Sequence, residues 1–168
     1  MNSGAYGFLG PMISGARTVR SDVFMRLGRT LTMLSFTLYS IVILATLLIG
    51  AVYATRRTLM PYHFEALETP WEEIDPKQQY MLKALLNGGG YFGLSSGLAM
   101  LILLLIPFRA GEIWAGYAIA AIGLVGALPL CLIVRGVKKN TKGNPPLFVM
   151  VIINALLLMG LLAFALGY

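Results

Sequence analysis

The stretch "IPFRAGEIWAG" (Ile106–Gly116) places an arginine and a glutamate between two long apolar runs. Ionisable side chains inside a bilayer are costly and usually functional, whereas at its surface they are ordinary turn residues. Pro107 falls where the first run ends, and Gly111 allows a tight turn. Arg109 would then lie near a helix C-terminus and Glu112 near a helix N-terminus, where both charges suit the helix dipoles. The stretch therefore predicts a helical hairpin that turns at the membrane surface.

Aromatic side chains directly after this turn support the same interpretation. Trp114 and Tyr117 fall where an aromatic belt would meet the headgroups. The alternative is that Arg109, Glu112 and Trp114 contact a lipid headgroup or a partner protein, and Trp71 in the first loop is a further candidate for such a contact.

The composition agrees with a membrane protein. The chain has 168 residues, of which 58% are hydrophobic and 12% charged, against about 25% charged in soluble domains. Four apolar runs are each long enough to cross a hydrocarbon core of ~30 Å as a helix, and they lack the alternation of barrel strands. They cover about residues 31–54, 80–106, 113–134 and 147–167. We therefore predict an all-α membrane protein, with a four-helix transmembrane bundle over residues 31–168.

Residues 1–30 form a separate, basic region in this interpretation. Arginines recur at Arg17, Arg20, Arg26 and Arg29. Two structures fit them: a basic amphipathic helix lying along the headgroups before it turns into the first span, or plain juxtamembrane charge attracted to anionic lipid.

The first loop carries two helix-start patterns. Thr69 as a cap, with Glu72 completing a capping box, predicts a helical turn near Trp71. Asp75, followed by Pro76, predicts that the helix of the second span begins at Pro76. The first loop is thus expected to be partly helical.

Glycines in the second and third spans predict close helix contacts. Gly89, Gly93 and Gly97 are spaced by four and form a bare stripe, and Gly116 and Gly123 recur in the third span. Close backbone approach drives helix association in lipid. The stripe is expected to pack either within the chain or against a partner.

The sequence carries no recognisable catalytic pattern. It lacks a phosphate loop, a nucleophile elbow and HExxH, and its single cysteine and single histidine form no metal-ligand cluster. We therefore predict a non-enzymatic protein without metal, cofactor or nucleic-acid partner. The remaining option is His63 as a ligand of a pigment or haem.

The strings "TPWEEIDPKQQ", "IPFRAGEIWA" and "NPP" resemble those of a family of small bacterial integral membrane proteins with four predicted spans and a PFRxGExWA hairpin motif. The resemblance covers about residues 55–150. It implies the four-span architecture and the bacterial inner membrane, and it implies no activity.

Two functions remain open from the sequence. Abundant small-residue faces without polar chemistry in the spans predict an accessory or stabilising subunit of a larger membrane complex. The alternative is a standalone binder or carrier of lipid or another hydrophobic small molecule, which a polar-lined cavity between the second and third spans would favour. Orientation is also open, because eight basic residues on the first-loop side compete with the arginines before the first span.

Overall fold

The computed structural model describes the backbone of residues 10–168 and the side chains of residues 23–168. This part of the chain is all-α and contains no strand. Its helices are α1 (Gly10–Thr55), α2 (Pro61–Leu67), α3 (Pro76–Leu103), α4 (Ile113–Asn140) and α5 (Leu147–Gly167), with a 3₁₀ turn at Trp71–Glu73. Within the described residues, α1, α3, α4 and α5 are long and apolar enough to cross a membrane. The predicted all-α fold class with four such helices is confirmed.

The four long helices form a bundle in the ring order α1–α3–α4–α5. Helix α1 packs extensively on both α3 and α5, α4 packs on α5, and the α3–α4 contact is the smallest of the four. Tyr39, Ile119, Leu157 and Phe164 are fully buried in the core between the helices. One end of the bundle carries α2 and the 141–146 loop, and we call it the α2 end. The other carries the turn between α3 and α4, and we call it the hairpin end.

Helix α1 has no break at the point where an N-terminal helix lying along the headgroups would turn into the first span. Its backbone runs unbroken from Gly10 to Thr55, because its one proline, Pro11, lies in the first turn, where proline is tolerated, and arginine is a good helix former. Arg26 and Arg29 are exposed on it. Arg17 and Arg20 lie outside the described side chains.

The hairpin forms as predicted around Gly111, whose φ of 83° belongs to the left-handed region that favours glycine. Its helix, however, does not end at Pro107. A π-helical segment from Leu104 to Phe108 includes this proline, and the Glu112 N–H donates to the Pro107 carbonyl at 3.0 Å. A π-turn fits here because proline lacks the N–H that a regular helix would use.

The first loop confirms one predicted cap and corrects the other. Asp75 caps α3 by accepting from the Lys77 N–H at 2.9 Å, and the helical turn near Trp71 is present. Thr69 does not cap that turn, because its hydroxyl donates instead to the Leu67 carbonyl at 3.2 Å.

Two segments are helical in the structure that the sequence does not predict to be helical. Helix α2 lies in the first loop ahead of the predicted turn near Trp71, and α4 extends past Val134 to Asn140. The extension carries Lys138 and Lys139 in its last turn, where positive charge suits the C-terminal end of the helix dipole.

Candidate functional site

Glycines of α3 bring this helix close to α1, and two of the three predicted stripe positions take part in the contact. A Cβ built on Gly93 would lie 3.4 Å from the Gly50 Cα, and one on Gly97 would lie 2.8 Å from the Leu47 side chain. A Cβ on Gly90 would overlap the backbone of Ala54. At Gly89 it would meet nothing within 4 Å. The close-packed stripe is therefore Gly90, Gly93 and Gly97, and Gly89 does not belong to it.

Sequence reasoning missed the α1 side of this contact. Gly50 and Ala54 are four residues apart, which is the small-xxx-small pattern of close helix pairs. That spacing was the signal that could have found them.

The glycines of α4 pack against side chains of α5, and not against the glycine stripe of α3. A Cβ on Gly116 would lie 2.5 Å from the Phe164 ring, and one on Gly123 would lie 2.6 Å from the Leu157 side chain. The Gly116 carbonyl also accepts a hydrogen bond from the buried Tyr39 hydroxyl at 3.1 Å. These contacts hold α4 against α5 and tie it to α1.

Because α3 is held by α1 and α4 by α5, a gap remains between α3 and α4 toward the α2 end. It is a cavity of about 270 Å³ lined by residues of all four long helices. Along α1 its wall extends from Val42 to Tyr53, and its inner end is formed by Met100 and Leu157.

The cavity is apolar and opens sideways. None of the described residues that line it is charged, and its polar groups are the hydroxyls of Thr46, Ser96, Tyr53 and Tyr62. Gly89, Phe92 and Gly126 belong to its wall and are also exposed, with Phe92 68% accessible. The opening between α3 and α4 therefore faces the lipid.

A cap made of α2 and the 141–146 loop covers the aqueous end. Tyr62 of α2 forms a hydrogen bond with Tyr53 through their hydroxyls. Gly143 is buried under α2, where an added Cβ would lie 2.6 Å from the Tyr62 carbonyl oxygen. Lys142 pairs with Glu68 at 2.6 Å. Burial raises the pKa of the Tyr62 phenol, so this hydroxyl stays protonated.

The His63 side chain caps the N-terminus of α2. Its Nδ1 accepts a hydrogen bond from the Met60 N–H at 3.2 Å, so the neutral ring carries its proton on Nε2. Burial lowers the pKa of the imidazole. Within the described residues, no group of three or more His, Cys, Asp and Glu side chains is placed to hold a metal ion. Ligation of a haem or pigment by His63 stays a prediction.

The cap should loosen at acid pH through His63. A histidine whose folded-state pKa is lowered stabilises the fold above its ordinary pKa of about 6.5 and loses that contribution as the pH falls through the folded-state value. We expect the protection of the α2 amides against hydrogen exchange, measured relative to their intrinsic exchange rates at each pH, to fall below pH ~6.5. In His63→Gln this acid-dependent loss of protection should disappear. An unchanged pH profile in that variant would assign the effect to other groups.

The remaining predicted contact residues lie apart from the cavity. Arg109, Glu112 and Trp114 are exposed at the hairpin end, so their contact with headgroups or a partner stays a prediction. Trp71 is half-buried and packs edge-on against Phe64 of α2, with ring centroids 6.0 Å apart.

Two asparagine side chains, the half-buried Asn87 and the buried Asn154, act as ties between helices. Asn87 donates to the Ala54 carbonyl at the end of α1, and Asn154 donates to the Ala127 carbonyl of α4 at 3.2 Å. Such bonds join helices that have no hydrophobic force between them in lipid.

No protein-family model matches the chain, and comparison with curated proteins and with solved structures found no match. The resemblance to the four-span bacterial family therefore stays a prediction.

Proposed function

We propose that this protein binds the apolar chain of a lipid-like molecule in the cavity between α3 and α4. The observation that carries the proposal is the shape of the cavity, which is open to the lipid through a gap between two helices and covered by the cap at its aqueous end. A ligand that enters by this route comes from the bilayer.

The dimensions support one chain rather than a bulky ring system. The wall from Val42 to Tyr53 corresponds to about 16 Å along a helix axis, or roughly half of a hydrocarbon core of ~30 Å. The cavity of about 270 Å³ has room for roughly nine groups the size of a water molecule at ~30 Å³ each. Both values suit a stretch of acyl or isoprenoid chain within one leaflet.

The cavity lies between the second and third spans as the binder hypothesis requires, but its wall is mostly apolar rather than polar as expected. The chemistry of the lining therefore supports an uncharged ligand segment. A charge inside an apolar cavity would need a partner, because removing it from water is costly. The described wall supplies hydroxyl groups alone. The Ser96 hydroxyl offers one hydrogen bond part-way along the chain, and the Tyr53–Tyr62 pair lies at the end nearest the membrane surface.

The proposal predicts that filling the cavity blocks binding without disturbing the bundle. An added Cβ at Gly126 meets nothing within 4 Å, so Gly126→Leu should project into the cavity at little packing cost. The probe is phosphatidylcholine with a diazirine on one acyl chain, irradiated with the full-length protein in nanodiscs. We expect labelling of the cavity-lining peptides of α3 and α4 to fall about tenfold, equivalent to ~1.4 kcal/mol.

Gly136→Leu is the matched control, because Gly136 lies on the same helix, has equally open surroundings and does not line the cavity. It should label as the unaltered protein does. Equal labelling of both variants, or label spread evenly over all lipid-facing surfaces, would contradict the proposal.

The subunit role predicted from the sequence stays open beside this proposal, as does placement in the bacterial inner membrane. The two functions differ in what is extracted from the membrane together with the protein. A subunit is extracted with protein partners, whereas a binder is extracted with its ligand.

A further inference from the structure

A second concave surface lies between the last turn of α4 and the first turns of α5. It encloses about 580 Å³ and shares only Pro145 and Pro146 with the wall of the cavity. Its other lining residues are Lys138, Asn144, Leu147, Phe148, Val151 and Ile152. We call it the α4–α5 groove.

The groove is amphiphilic along its length. Lys138 and Asn144 lie at its surface end, where α4 ends and the loop begins. Phe148, Val151 and Ile152 follow on α5 at helical spacing and are exposed, so they form one continuous apolar wall. A cation above an apolar wall matches the order of groups in a phospholipid, from phosphate to acyl chain.

The charge at the surface end is not neutralised by the protein. Lys142 in the adjoining loop is paired with Glu68, and Glu65 accepts a hydrogen bond from the Asn144 N–H at 3.3 Å. Among the described side chains, by contrast, no carboxylate lies within 4.0 Å of the Lys138 ammonium. Lys138 is therefore the groove residue that remains to bind an external anion.

We propose that the α4–α5 groove binds an anionic phospholipid, with its phosphate at Lys138 and the start of one acyl chain along Phe148 and Val151. Lysine binds phosphate as a point charge, and basic residues at a membrane surface attract anionic lipid. This site is independent of the cavity.

The test compares Lys138, which lines the groove, with Lys139, which does not. The full-length protein in mild detergent is titrated with phosphatidylglycerol or with phosphatidylcholine of the same chains, and bound lipid is counted by native mass spectrometry. Lys138→Gln is expected to lower phosphatidylglycerol affinity about fivefold, corresponding to ~1 kcal/mol for one basic residue. Lys139→Gln removes the same charge from the same turn but does not line the groove, and it should leave the affinity unchanged.

Two results would overturn the proposal: equal losses in both lysine variants, which would indicate diffuse attraction, or equal binding of the two lipids by the unaltered protein. Gly126→Leu keeps the outcome separate from that of the cavity. Filling the cavity removes a lipid chain regardless of its headgroup, so the groove predicts that this variant keeps its preference for phosphatidylglycerol over phosphatidylcholine.

Discussion

Replacing Gly90 with alanine is expected to lower the free energy of unfolding by about 1–3 kcal/mol, although the change adds a single methyl group. The added Cβ would overlap the backbone of Ala54 and of Tyr53 on α1. A side chain could rotate away, but a helix backbone can yield only by separating the two helices. That separation would also loosen the contact between Gly93 and Gly50, so the cost extends beyond one residue.

The neighbouring glycine supplies the control. Gly89→Ala adds the same methyl group to the same helix, where it meets nothing within 4 Å. Alanine favours a helix over glycine by up to ~1 kcal/mol, so this variant should be equal to the original protein or more stable. Unfolding in mild detergent, followed by circular dichroism, measures both. Similar stability of the two variants would show that the α1–α3 contact is not close-packed at Gly90.

Phe164→Ala is expected to have the largest effect on stability, about 3–5 kcal/mol. The Phe164 ring is fully buried and fits into the space that Gly116 leaves on α4. It also lies 5.4 Å from the Phe108 ring and edge-on to Tyr117 at 5.3 Å. In lipid the loss comes from missing van der Waals contacts rather than from exposure to water.

Phe148→Ala is the control for Phe164→Ala, because it removes the same aromatic ring from the same helix. Phe148 is 68% exposed, and its loss should change the unfolding free energy by less than ~1 kcal/mol, since no buried contact is removed. Thermal unfolding of both variants in the same detergent compares them. A loss for Phe164→Ala no larger than that for Phe148→Ala would contradict the assigned α4–α5 packing.

The sequence predicts the spans well because their signal is local. Apolar length identifies each crossing, the Asp75–Pro76 pair identifies where α3 begins, and Gly111 marks the turn of the hairpin. Each of these features acts through its own residue or its near neighbours, so no knowledge of the partner helix is needed.

The first residue of the glycine stripe depends on the partner helix, so the sequence predicts Gly89 where the structure uses Gly90. Glycine occurs three times in succession at 88–90, so more than one register satisfies helical spacing. The choice of Gly90 over Gly89 is made by the position of Ala54 on α1, which the α3 sequence does not contain. Similarly, the seven residues of α2 are too few for a periodic pattern to stand out.

The cavity could not be predicted from any single segment. It arises because α3 packs on α1 while α4 packs on α5, and both pairings are tertiary. Glycines at 89 and 126 were visible in the sequence, but a glycine that packs and a glycine that leaves space look the same there. Only the opposite helix distinguishes them.

The most direct test of the central claim is the native mass of the unaltered protein after gentle extraction from its membrane. We predict the 18.2 kDa chain, alone or as a small homo-oligomer, with the added mass of one chain-bearing lipid-like molecule per protein that survives detergent exchange. Protein that retains no such molecule, or that leaves the membrane only in a stoichiometric complex with other proteins and with the cavity empty, would contradict the account and favour the subunit role.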